Sequence, residues 1–261
     1  MQIFIYVMIF AFGLVLGSFY NVIGYRVPKK ESIVFPASHC PKCKHKLKML
    51  ELIPVFSYLF LGGRCRYCKK KISVIYPIIE LLTAGLFVLS YYLYGPTINF
   101  LIAITFSSVV AITIASDIRY MVIDDWVLVI GGLIILVLGF IDGGLPKVGD
   151  LLLNAGISFA IILIIKIAAD YSFKKEAMGG GDVKLMTLIG ALVTYKMSII
   201  VLCLSAFIAF PYAIYIYFSK DEHLLPLGPF LCISGLIIFF LGLGFEDLMM
   251  IMAKWFLWVK K

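Results

Sequence analysis

Long apolar runs separated by short polar stretches make up most of this chain. Ile3 to Gly24, Ile75 to Tyr94, Ile98 to Ser116, Trp126 to Ile141 and Leu151 to Ala169 are mostly apolar, and stretches such as Leu128 to Ile141 are apolar on every face rather than at alternate positions. A membrane barrel would alternate lipid-facing and lumen-facing residues. Uniform runs of this kind predict membrane-spanning helices, which need roughly 17 to 25 residues each. Val183 to Phe218 reads either as one bent helix or as two, with a turn near Thr194-Tyr195-Lys196. A final run extends from Pro229 to about Met250, after the polar Ser219 to His223. Two helices between Val183 and Phe218 give eight spans, whereas one gives seven and places Lys254, Lys260 and Lys261 inside. The expectation is eight.

Composition agrees with the pattern. The 261 residues are 62% hydrophobic and 15% charged, with a mean hydropathy of +1.05, more apolar surface than a soluble core of this length could hide. The net charge of +8 is concentrated, because 12 of the 23 Lys and Arg residues fall between Tyr25 and Ser73. By the positive-inside rule that stretch is cytoplasmic, and its charge reads as topology rather than nucleic-acid binding. No Lys or Arg precedes the first run, so it reads as a retained helix with its N-terminus outside. The expected organisation is therefore all-α and polytopic. Residues 1–24 would form the first helix, 25–74 a cytoplasmic loop and 75–261 a multi-helix core. Following the alternation brings Asp117 and the stretch before Val183 to the cytoplasmic face, in agreement with Arg119, Lys174 and Lys175.

Two groups of polar residues carry candidate chemistry. Cys40-Pro41-Lys42-Cys43 and Cys65-Arg66-Tyr67-Cys68 are two C-x-x-C pairs with 21 residues between them. Each pair can bite one ion, and four thiolates close a tetrahedral Zn2+ site that stands in for a core so short a segment cannot build. Disulfides are the alternative, disfavoured in a reducing cytosol. His39 and His45 are rival ligands or surface residues, and Cys203 and Cys232, alone in apolar runs, read as packing residues. The second group is Asp182 behind Gly179, Gly180 and Gly181, together with Asp117 at the end of another apolar run. Carboxylates at membrane depth are functional candidates by default. Two of them on one water form the arrangement of an aspartyl protease. The glycines would let a substrate backbone lie close to Asp182.

Several segments in order resemble one family, the bacterial type IV prepilin peptidases, also called leader peptidase/N-methyltransferases, which are GxGD aspartyl proteases. The segments are Gly17-Ser18-Phe19-Tyr20-Asn21-Val22 with Arg26-Val27-Pro28, the paired C-x-x-C motifs, and Leu52-Ile53-Pro54-Val55-Phe56-Ser57-Tyr58. They continue with Tyr76-Pro77-Ile78-Ile79-Glu80, Asp117-Ile118-Arg119-Tyr120-Met121-Val122-Ile123, Gly179-Gly180-Gly181-Asp182-Val183-Lys184 and Pro226-Leu227-Gly228-Pro229-Phe230. The resemblance implies that Asp117 and Asp182 are catalytic and that prepilins or pseudopilins are cut before their hydrophobic helix. It also implies methylation of the new amine from S-adenosylmethionine, linked to the N-terminal and cysteine-rich region around Gly17, Asn21, Arg26 and the four cysteines. Glu80 could serve either reaction, or pair with a loop lysine or Arg26.

One departure stands out. The family has Ile-Pro after the first aspartate, where this chain has Ile123-Asp124-Asp125. Either aspartate could cap the next helix, and either is a rival catalytic residue. Asp182 could likewise cap the helix that follows it. No Gly-x-Gly-x-x-Gly fingerprint supports a nucleotide site from the residues alone. The competing class is a transporter or channel with Asp117, Asp182 and Glu80 on an ion path, but these acids gather at one face and no inverted repeat is visible. Expected partners are the pilin-like substrate and the lipid bilayer, with no nucleic acid. The sequence leaves the oligomeric state open.

Overall fold

The computed structural model describes residues 2–176, 178–219, 226–242, 244–247 and 249–250. The expected polar turn over 220–223 and the side taken by Lys254, Lys260 and Lys261 lie outside the described residues. Among the described residues the α-helices are α1 (Gln2–Arg26), α2 (Phe56–Phe60), α3 (Ile75–Tyr94), α4 (Ile98–Tyr120), α5 (Asp125–Phe173), α6 (Gly180–Val193), α7 (Tyr195–Ser219) and α8 (Gly228–Leu241), and no strand is formed. Among the described residues α1, α3, α4, α5 and α7 are long and apolar enough to cross a membrane, and α8 is a shorter apolar helix. The protein is thus a helical, multi-pass membrane protein. Its chain forms two compact units, Met1–Ile135 and Leu136–Lys261.

In the first unit α1, α3 and α4 pack on one another. Small residues on one face of α1 make this possible, since Gly13, Gly17, Asn21 and Gly24 recur at helical spacing and all are buried. A Cβ on Gly13 would lie 2.6 Å from the Ala84 Cα, and one on Gly17 would lie 2.8 Å from the Glu80 Cα. The α1 and α3 backbones therefore approach as closely as glycine permits. α4 is the inner helix of the unit, with Ile102, Ala103, Phe106, Ser107 and the whole of Val109 to Asp117 buried. Hydroxyls on these helices bond within the protein, as lipid demands: Tyr20 donates to Ser108 at 2.7 Å, Thr83 to the Ile79 carbonyl at 2.8 Å and Ser90 to the Leu86 carbonyl at 2.6 Å.

The expected break between Ile141 and Leu151 is present, although helix runs up to it from both sides. α5 bends sharply at Gly144, whose φ of 65° and ψ of −158° are non-helical, with Pro146 just beyond. Its two legs fold toward each other, because a Cβ on Gly139 would lie 2.7 Å from Leu151 Cδ1. Asp142 and Lys147 pair across the bend.

Between Val183 and Phe218 the chain forms two helices, divided at Thr194, which has φ 78° and ψ 154°. Asn154 Oδ1 accepts from the Tyr195 amide at 3.2 Å and so caps the start of α7. Nearby, Ser158 and Ser198 are hydrogen-bonded at 2.8 Å, and a Cβ on Gly190 would lie only 2.0 Å from the Ser158 hydroxyl oxygen. α8 packs on α6 and α7. Cys232 is buried in α8 as expected, but Cys203 is exposed and its packing role is corrected.

Candidate active site and metal centre

The cysteine loop is built from two copies of one turn. Lys44 donates to the Cys40 carbonyl at 2.9 Å and Cys40 to the His45 carbonyl at 3.0 Å. The second turn repeats this, with Lys69 donating to Cys65 at 2.9 Å and Cys65 to Lys70 at 3.0 Å. Lys44 and Lys69 both have positive φ, 60° and 58°, which lets the chain turn back within one residue of each pair. All four cysteines are free, and their sulfurs lie within 4.8 Å of one another. Cys40 to Cys68 and Cys43 to Cys65 are both 3.9 Å, close to the ~3.8 Å edge of a tetrahedron with metal–sulfur bonds of about 2.3 Å. The donor set therefore fits one soft, tetrahedral cation.

The electrostatics agree with the geometry. Backbone N–H groups of Cys68 and Tyr67 help bring the Cys65 thiol down to about 7. For Cys43 the His45 backbone pulls the same way, but desolvation and the other three cysteines push the thiol up to about 11. Four thiolates this close need a cation before all can ionise. His39 and His45 stay outside this group, since His39 Nδ1 is 3.0 Å from the Ala37 carbonyl and the His45 ring lies 3.5 Å from that of Tyr67.

A cavity of about 310 Å³ opens beside the cysteines, between the ends of α1 and α4 and the start of α3. Asn21, Arg26 and Glu80 all line it, and so do Cys40 and Cys65. Gly17 is not among the lining residues; it is the contact that brings the Glu80 backbone against α1. Glu80 is buried and accepts from the Val55 amide at 2.7 Å, with Ser18 as a second partner. The expected pairing with a lysine or Arg26 is corrected: Arg26 instead donates to the Ser32 carbonyl at 3.0 Å. Glu80 steadies a strained turn, because Val55 has φ 62° and ψ −52° and the Phe56 amide reaches back to the Pro54 carbonyl at 2.6 Å.

The two aspartates have contrasting settings. Asp117 is 5% exposed in the last turn of α4, which ends at Met121 in the left-handed region. Asp182 is 9% exposed in the first turn of α6, and its Oδ2 accepts from the Gly179 amide at 3.1 Å. It thus caps the helix, which begins at Gly180 rather than Val183. A Cβ on Gly179 would sit 3.1 Å from that same oxygen, whereas one on Gly180 would meet nothing within 4 Å. Gly179 has φ −65°, so close approach rather than unusual backbone accounts for it. Asp124 Oδ1 accepts from the Trp126 amide at 2.9 Å and caps the start of α5. Sequence reasoning missed Glu51, Tyr25 and Arg119, which also line the cavity. Glu51 stands just before the quoted Leu52 to Tyr58 segment, the nearest signal that could have found it.

Several helices able to cross a membrane and a four-thiolate cluster define a multi-pass membrane protein with a candidate metal centre, and relatives give its family. Residues 11–94 match the bacterial peptidase A24 N-terminal domain, and residues 103–214 match the type IV leader peptidase family. A Bacillus subtilis (strain 168) protein named prepilin leader peptidase/N-methyltransferase is 36% identical over 189 residues, 72% of this chain and 74% of its own. Proteins of the same name from Aeromonas salmonicida (strain A449) and Neisseria gonorrhoeae are 31% identical over 90% of both chains and 33% over 87% of both. No solved structure matches. The chain belongs to the type IV leader peptidase family.

Proposed function

We propose that this protein cleaves the leader peptide from type IV prepilins or pseudopilins and methylates the amine so exposed. The observation that carries the reading is the alignment over 90% of both chains with a relative named for both activities. Asp117 and Asp182 act as a pair on one water. Like charges at close range resist joint ionisation, so the pair holds one proton and alternates between base toward water and acid toward the departing amine. Both aspartates lie within residues 103–214, which match the type IV leader peptidase family, and this supports the assignment, as does the open approach to Gly180. The Gly179 to Gly181 segment receives the substrate backbone.

Methyl transfer is assigned to the cavity of the first unit. Its volume of about 310 Å³ is at the lower end of small-molecule sites, roughly 300 to 1,000 Å³. Acidic and basic side chains both line it, Glu31 and Glu80 with Arg26 and Arg119 among them, so it suits a ligand that carries both charges. S-adenosylmethionine bound there would supply an electrophilic methyl group. The protein's own part is to exclude water, to hold the incoming amine and, through Asn21, Arg26 and Glu80, to keep α1, α3 and the loop in register. Zn2+ held by Cys40, Cys43, Cys65 and Cys68 would be structural, since four thiolates leave no open coordination position. The reading places the cysteine loop and both aspartates at the cytoplasmic face of the inner membrane, supported by the 12 basic residues between Tyr25 and Ser73.

Purified protein in detergent, given a full-length prepilin and S-adenosylmethionine, should release the leader and add one methyl group to the new N-terminus. Intact prepilin after prolonged incubation with several candidate substrates would refute the peptidase assignment.

A further inference from the structure

The short helix α2 is apolar on the side that the protein leaves open. Phe56, Leu59 and Phe60 stand at i, i+3 and i+4 and so share one face, and they are between 53% and 87% exposed. Ser57, Tyr58 and Leu61 stand on the opposite side and line the cavity. A single helical turn over Met49–Glu51 packs against α2 and adds two more exposed apolar side chains, Met49 and Leu50. Apolar surface gathered in this way marks a contact.

The place of α2 in the fold says what meets that face. The loop leaves the membrane at the end of α1 and returns to it at Ile75, where α3 begins. The rings of Tyr25 and Tyr76, with centroids 5.0 Å apart, hold the two ends side by side. Between them α2 does not stand clear of the bilayer. The Val55 amide, immediately before α2, donates to Glu80 Oε2 at 2.7 Å, and Glu80 lies five residues into α3. At 1.5 Å per residue this draws the start of α2 back by about 7.5 Å along a membrane helix. A helix lying in the interface sinks its apolar face about 5–10 Å, to the boundary of headgroups and acyl chains. Charge selects the same occupant. Residues 25–74 carry twelve basic side chains beyond His and only two acidic ones, Glu31 and Glu51. Such a loop repels a second copy of itself and is drawn to anionic headgroups. Lys48 and Arg64 bracket the apolar stretch, and both are exposed and stand outside the cavity lining.

We propose that α2 and the turn before it are an interfacial anchor: Phe56, Leu59 and Phe60 enter the bilayer beside α3, and Lys48 and Arg64 hold anionic phospholipid headgroups. The cavity wall formed by Ser57 and Tyr58 is thereby backed by lipid.

The test uses purified full-length protein in vesicles of phosphatidylcholine mixed with phosphatidylglycerol, with a benzophenone photo-cross-linker in place of Phe60. Irradiation should attach lipid at that position, with phosphatidylglycerol enriched about fivefold over its share of the vesicle. Lys48→Gln with Arg64→Gln, or raised salt, should remove the enrichment and leave the adduct. A cross-linked dimer in place of a lipid adduct, or no adduct, would overturn the anchor. Adducts that follow the lipid composition at low salt would overturn the headgroup assignment. Amide exchange over residues 49–60 of the unmodified protein needs no variant. It should slow about fivefold when phosphatidylglycerol is added to phosphatidylcholine vesicles, and unchanged exchange would count against the proposal even if the labelled protein fails to fold.

Discussion

The cysteine loop and the glycine-aspartate segment are both polar interruptions in an apolar chain, yet they hold their chemistry by different means. The loop has few buried apolar residues of its own. Its shape rests on two matched turns closed by cysteine sulfurs, and its cavity borrows the ends of three membrane helices. The stretch before α6 uses no cross-link: Asp182 is set by its place in the first helical turn and by the amide of Gly179. One region should therefore depend on a metal and the other on a helix, which makes the two activities separable by mutation.

The largest effect should come from the aspartates. Asp117→Asn or Asp182→Asn is expected to lower leader cleavage by about a hundredfold to ten-thousandfold, the usual range for a lost general acid or base. Zinc content should remain at about one per chain. Initial cleavage rates on purified protein, with metal analysis of the same samples, check both statements. Next in size is the loop: Cys40→Ser with Cys65→Ser should lose the metal and methyl transfer, because both residues line the cavity, while cleavage persists. Cleavage that disappears with the zinc would join the regions into one device and break the contrast.

Smaller effects test the packing behind each region. Gly17→Val puts a side chain 2.8 Å from the Glu80 Cα and should destabilise the protein by about 1–3 kcal/mol, with weaker methyl transfer, read by thermal unfolding in detergent and product mass. The least is expected of Asp124→Ala, which removes a cap worth about 1 kcal/mol and should leave cleavage intact. Abolished cleavage there would mean that Asp124, not Asp117, is the partner of Asp182.

Much of this was legible in the chain. α3 runs from Ile75 to Tyr94 as its hydropathy implies, and the turn at Thr194 falls where a polar triplet interrupts an apolar run. The cysteine spacing announces a cluster because a C-x-x-C turn brings two sulfurs together through local geometry alone. Long-range polar contacts leave no such trace. Nothing in the neighbours of Glu80 points to an amide 25 residues earlier, and charge arithmetic favoured a lysine or Arg26 that the fold does not supply.

The separation of the two activities is tested most directly by the mass of one peptide, the N-terminus of a prepilin after reaction with S-adenosylmethionine. Wild-type protein should give the mature peptide plus one methyl group, Asp182→Asn the uncut precursor, and Cys40→Ser with Cys65→Ser the mature peptide without the methyl. Mature peptide from Asp182→Asn, or uncut precursor from a well-inserted cysteine variant, would contradict the account.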